Sequence, residues 1–173
     1  MRKIAMLAVL ALVAVPAAFA DSGSGQTNQP NALCKQQRSA IGAKTFKLLY
    51  GANAYGRCVS KMASTLNADK TNAAKQCAAE RADAAFPGTH GGKTFAEFYG
   101  ADKQGKQGSN AFGKCVSSKA KALDQQQQQA TITAAKTCKA ERTKLGPTEF
   151  TKNYGGHSNA FGKCVSKTAH ANP

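Results

Sequence analysis

Asn53-Ala54-Tyr55-Gly56-Arg57-Cys58-Val59-Ser60 returns as Asn110-Ala111-Phe112-Gly113-Lys114-Cys115-Val116-Ser117, and again as Asn159-Ala160-Phe161-Gly162-Lys163-Cys164-Val165-Ser166. The octets differ only by Phe/Tyr and Lys/Arg exchanges, which chance does not produce three times in 173 residues. Each octet carries one cysteine, and another cysteine precedes it in a looser frame. That frame is Ala74-Lys75-Gln76-Cys77-Ala78-Ala79-Glu80-Arg81 and Ala135-Lys136-Thr137-Cys138-Lys139-Ala140-Glu141-Arg142. The first copy keeps only Cys34 and Arg38 of it, with Gln37 where the others have Glu. Between the cysteines lies Phe-x-x-x-Tyr-Gly, at Phe46 to Gly51, Phe95 to Gly100 and Phe150 to Gly155. The chain therefore reads as three degenerate copies, over 31–66, 73–123 and 132–171.

Length varies in two places. From Tyr-Gly to the next Asn there are one, nine and three intervening residues, and Cys77 to Phe95 holds six more residues than its counterparts. Surface connections absorb such variation and packed elements do not, so each copy reads as helix, turn, short helix, turn, helix. Asn53, Asn110 and Asn159 sit where helix N-caps belong. Phe and Tyr four apart share one face of the short helix, and the glycine that follows suits its end. Gly56, Gly113 and Gly162 fall in a first helical turn and read as points of close approach beneath the aromatic pair.

Between copies the apolar spacing stays helical: Cys58, Val59, Met62, Ala63, Leu66, Ala73, Ala74, Cys77, and then Cys115, Val116, Ala120, Leu123, Ile132, Ala135, Cys138. The second stretch is four residues longer, close to one turn. It contains Gln125 to Gln129, which reads as a solvated helix surface. Breaks near Asn67-Ala68-Asp69 or Thr131 stay open. If both stretches are continuous, Cys58 and Cys77 lie about 28 Å apart, and Cys115 and Cys138 about 34 Å. Disulfides need Cα atoms within about 7 Å. Pairing inside each copy is then the simplest scheme: Cys34–Cys58, Cys77–Cys115, Cys138–Cys164. The expected fold is all-α: three disulfide-stapled helical-hairpin repeats joined by long helices, behind a flexible N-terminal leader over 21–30.

Residues 1–20 have the form of a signal peptide. Arg2 and Lys3 precede an apolar run from Ile4 to Val15, too short to span a bilayer, and Ala18-Phe19-Ala20 suits signal peptidase. The expected location is secreted, periplasmic or cell envelope. Without those residues the charge is +13, and Leu, Ile, Val and Phe make up 18 of 153 residues. A chain so basic and so poor in apolar residues tends to disorder, so the six cysteines are expected to hold it folded. Zinc, haem and Cys-x-x-Cys redox spacings are absent. Arg38, Arg81 and Arg142 are expected to bond carbonyls at the turn or pair with a nearby acid, and Glu80 and Glu141 to form helix-surface ion pairs.

No catalytic constellation emerges from His90, His157 and His170, which fall in variable loops or near the C-terminus. The expectation is a non-enzymatic protein with no cofactor, no metal and no further transmembrane segment. Its 22 remaining basic residues against nine acids favour anionic partners: envelope or extracellular polymers, or lipid headgroups. Sequence-specific nucleic-acid reading is not expected. A membrane-active or antimicrobial role is the alternative. With Asn-Ala-Phe-Gly-Lys-Cys-Val-Ser in view, residues 31 to 171 resemble uncharacterised exported bacterial proteins bearing this cysteine repeat. The resemblance implies export and repetition.

Overall fold

The computed structural model describes residues 29–101, 110–155 and 159–171. The signal segment, most of the leader and His157 lie outside them. Every regular element among the described residues is a helix: α1 (Gln29–Ile41), α2 (Ala43–Tyr50), α3 (Ala54–Ala82), α4 (Phe86–Thr89), α5 (Phe95–Gly100), α6 (Ala111–Leu145), α7 (Pro147–Asn153) and α8 (Ala160–Ala171). α3 and α6 run unbroken for 29 and 35 residues, straight through Asn67-Ala68-Asp69 and Thr131. They lie antiparallel: Cys77 near the end of α3 is bonded to Cys115 near the start of α6, and Asp69 meets Gln127 further along. The expected leader is two residues too long, because Gln29 and Pro30 already belong to α1 and Pro30 is buried there.

The disulfides are Cys34–Cys58, Cys77–Cys115 and Cys138–Cys164, each with Cα atoms 6.0 Å apart. Each ties the helix before a short aromatic helix to the helix after it. Because α3 carries Cys58 and Cys77, and α6 carries Cys115 and Cys138, each long helix is cross-linked at both ends. The short helices are alike in detail. Ring centroids of Phe46 and Tyr50, Phe95 and Tyr99, and Phe150 and Tyr154 lie 4.9, 4.9 and 4.8 Å apart.

The core has two parts. The larger joins the first and third cysteine segments: Cys34, Phe46, Cys58 and Met62 pack with Ile132, Cys138, Phe150, Phe161 and Cys164. The antiparallel α3–α6 pair causes this, since it returns the end of α6 to the start of α3. The smaller part, at the far end of the pair, has only Cys77, Phe86, Phe95 and Cys115 fully buried, flanked by Tyr99 and Phe112. The six extra residues of the middle segment sit here. The added length includes the four-residue α4, and His90 stacks on Phe86 at 3.7 Å with its Nδ1 2.9 Å from the Phe86 carbonyl.

Three sequence expectations need correction. The glycines at 56, 113 and 162 do not make room for an aromatic pair. A Cβ at each would collide with the side chain of the asparagine three residues earlier: Asn53, Asn110 or Asn159. Asn110 caps its helix through Gly113 N–H at 3.1 Å, whereas Asn53 occupies the cap position without a side-chain bond. Gly51 and Gly155 end their turns at positive φ, but Gly100 is the last residue of α5 and Ala101 caps it. The glutamine run is not uniformly solvated, because Gln128 is buried and donates to the Leu33 carbonyl on α1 at 3.1 Å.

Cross-links of this span contribute on the order of 3–4 kcal/mol each by the chain-entropy model, and the two cores differ in what remains without them. Replacing Cys77 and Cys115 by Ala should raise amide exchange around α4 and α5 while the α1–α8 end stays protected. Replacing Cys138 and Cys164 by Ala should lower the global melting temperature by at least about 10 °C. Hydrogen-exchange mass spectrometry and circular-dichroism melts separate the two outcomes.

Candidate functional site: a groove beside a buried carboxyl pair

The six cysteines are structural. All are fully buried and all are bonded, so none offers a thiol. Each disulfide sits against a polar side chain three residues after its first cysteine, and that side chain takes the tyrosine hydroxyl of the same segment. Tyr50 donates to Gln37 Oε1 at 2.6 Å, Tyr99 to Glu80 Oε2 at 2.9 Å, and Tyr154 to both Glu141 oxygens at 3.0 and 2.9 Å. The sulfurs of Cys58, Cys115 and Cys164 lie 3.6, 4.0 and 3.9 Å from the same oxygens.

Gln37 is the informative exception. It has no exposed surface, whereas Glu80 and Glu141 are half-buried. An ionised carboxylate at full burial is expensive, and an amide keeps the acceptor without the charge. Burial pushes the Tyr50 hydroxyl up to about 12, against a smaller lowering by its bond to Gln37. At Glu80 burial acts to raise the carboxyl, but the bonds from Lys119 and Tyr99 outweigh it and the net shift is downward.

Glu80 forms the expected ion pair, with Lys119 at 2.8 Å, whereas Glu141 is held by tyrosine instead. The expected role of the arginines moves to other residues. Arg81 stacks over the Phe112 ring at 5.2 Å, while in the second and third segments the lysine before the second cysteine reaches a turn carbonyl. Lys114 Nζ donates to Gly100 O at 3.0 Å, and Lys163 Nζ to Gly155 O at 3.5 Å.

Two carboxyls that the sequence did not single out meet halfway along the α3–α6 pair. Asp69 is 2% exposed and Asp124 8% exposed. Asp69 Oδ1 accepts from Gln127 Nε2 at 2.8 Å, but Asp69 Oδ2 and Asp124 Oδ1 find no donor among the described residues. Desolvation first, and the hydrogen bond and negative charge of Asp69 second, push Asp124 up to about 7, with Lys70 opposing. A proton on Asp124 supplies a donor between the two carboxyls, as expected when two carboxylates share a dry site.

Next to the pair opens a groove of about 1220 Å³ between α2, the first half of α3, the middle of α6 and α8. Its lining mixes apolar side chains (Leu33, Leu48, Leu49, Met62, Leu123, Val165) with uncharged polar ones such as Thr65 and Gln126 and with the cations Arg57, Lys61 and Lys163; Asp124 is the one acid in it among the described residues. His170 lies at its edge and His90 is remote from it, in the smaller core. No helix among the described residues is long and apolar enough to cross a membrane.

These features define the class to which the chain can be assigned: an all-helical protein cross-linked three times, of a kind suited to an oxidising compartment. Compared with known proteins, the chain matches no family model, no curated protein and no solved structure.

Two outcomes follow. The folded pKa of Asp124 lies above its unfolded value, so the stability it contributes is complete below about pH 4 and is lost as pH rises through about 7. Melting temperature should be higher at about pH 5.5 than at about pH 8, and Asp124→Asn should flatten that difference. Gln37→Glu should destabilise the protein, and more at about pH 8 than at about pH 5.5, while Glu141→Gln costs less than about 1 kcal/mol; chemical denaturation at the two pH values measures both.

Proposed function

We propose that the chain is an exported, non-enzymatic cationic protein, three copies of one disulfide-stapled helical unit, that adsorbs to anionic polymers of the envelope or extracellular space. The observation that carries this reading is the opposite treatment of the two charge signs. None of the 20 lysines and arginines among the described residues is buried. Of the seven acids among the described residues, Asp69 and Asp124 are taken into the interior, Glu141 is occupied by Tyr154, Glu80 is half-buried, and Asp83, Glu97 and Glu149 stay exposed. Two ion pairs form among the described residues, Lys119–Glu80 and Lys152–Glu149. The other 18 lysines and arginines among the described residues form no ion pair there and far outnumber the exposed acids, which makes a strongly cationic surface that attracts polyanions over a Debye length.

A membrane-active role has less support. The large exposed apolar side chains are Leu48 and Phe98, which belong to different helices, α2 and α5, and make no continuous apolar face.

The test is retention of the purified protein on immobilised polyphosphate and on anionic envelope polymer. Retention at about 20 mM salt and release by about 0.5 M is expected, with reversal of Lys136 and Lys139 to Glu lowering the salt needed for release. Flow-through at low salt would sink the proposal.

A further inference from the structure

The groove poses a separate question from the polycationic exterior. A chain this poor in aliphatic residues sets several of them around one concavity rather than sealing it. Leu48 remains 39% exposed on α2, and Leu33 and Leu49 are only half-buried. At about 1220 Å³ the space is larger than the usual ligand site of about 300 to 1,000 Å³, so a single bound molecule would fill part of it.

Its charge is one-sided. Arg57 and Lys61, four residues apart on α3, share a helix face and make no ion pair among the described residues, and Lys163 comes in from α8. The single acid of the lining, Asp124, is turned toward Asp69 and nearly covered, so it offers these cations little compensation.

We propose that this groove binds one molecule of a free long-chain carboxylate, its chain against Leu33, Leu48, Leu49 and Leu123 and its head between Arg57 and Lys61. A lining that sets four leucines beside two cations with no ion pair among the described residues matches a long apolar body with one anionic end. It does not match a polymer with charge at every unit, which has nothing to place against leucine. The groove is a bounded concavity on the helical body, which suits a single dispersed molecule rather than a bilayer surface.

Titration of the intact disulfide-bonded protein with oleate below its micellar concentration tests this, with oleyl alcohol and anionic phosphatidylglycerol vesicles as parallel arms. Saturable binding of one equivalent of oleate is expected, weakened at least about tenfold by Lys61→Glu and by Leu48→Glu. Both positions are exposed, and unchanged helical content by circular dichroism confirms that the variants fold. Lys75→Glu, on the far half of α3 and outside the groove, should leave affinity unchanged. Non-saturable uptake, equal loss with Lys75→Glu, equal affinity for oleyl alcohol, or binding to vesicles without binding to monomeric oleate would each overturn the assignment.

Discussion

Each aromatic turn is closed by a disulfide packed beside a tyrosine hydroxyl bond, and the rest of the molecule hangs on that closure. Consider what the helices could do without it. α2, α5 and α7 have eight, six and seven residues, well below the length at which an isolated helix persists in water. α4, with four, is shorter still. They exist because the flanking helices are held 6.0 Å apart at the bonded cysteines, and because Phe and Tyr then fill the angle between them. The tyrosine does two jobs. Its ring packs on the phenylalanine, and its hydroxyl satisfies the polar group beside the sulfur. A purely apolar residue in that position would leave Gln37, Glu80 or Glu141 partly desolvated without a donor.

The long helices turn three local closures into one structure. α3 and α6 each belong to two of them, so neither end can fray freely. Because they run antiparallel, the first and third cysteine segments meet and share a core that neither could build alone. The middle segment stays at the far end with four fully buried side chains, and its additional α4 with the Phe86–His90 stack adds the aromatic surface that a shared core supplies elsewhere. The distribution of stability follows: strongest where two closures pack together, weakest at the tip.

What could be read from residues alone divides along the same line. Local and periodic features were legible: helix–short helix–helix order, a helical period through both connectors, and the cysteine pairing if those connectors are rigid rods, whose continuity the sequence left open. Features that depend on the register of α6 against α3 were not. Nothing near Asp69 says that Asp124 will face it 55 residues later. Polyglutamine looks the same whether solvated or buried, so Gln128 gave no sign that it would cross to the Leu33 carbonyl. Gly113 was recognised as a requirement for space, but the occupant is the cap residue Asn110 itself, and only side-chain positions reveal that. Gln stands at 37 where the other segments have Glu, and its neighbours in sequence give no reason for it. In the shared core the amide keeps the acceptor for Tyr50 without burying a charge, although its Nε2 finds no partner among the described residues.

The polar layer halfway along α3 and α6 ties these observations together. Cys115 and Cys138 are 23 residues apart where Cys58 and Cys77 are 19, so α6 carries four residues more than α3 between its staples. The Cys77–Cys115 bond fixes the register of α3 against α6 at one end, because a one-turn slide of about 5.4 Å would carry its Cα atoms beyond disulfide reach. In that register Gln127 meets Asp69 and Gln128 meets the Leu33 carbonyl, so a buried carboxyl and a buried amide are each given a partner. The staple sets the register, and the polar layer agrees with it: any departure would strand those groups as well as strain the bond. The groove enclosed by α2, α3, α6 and α8 is a consequence of that register.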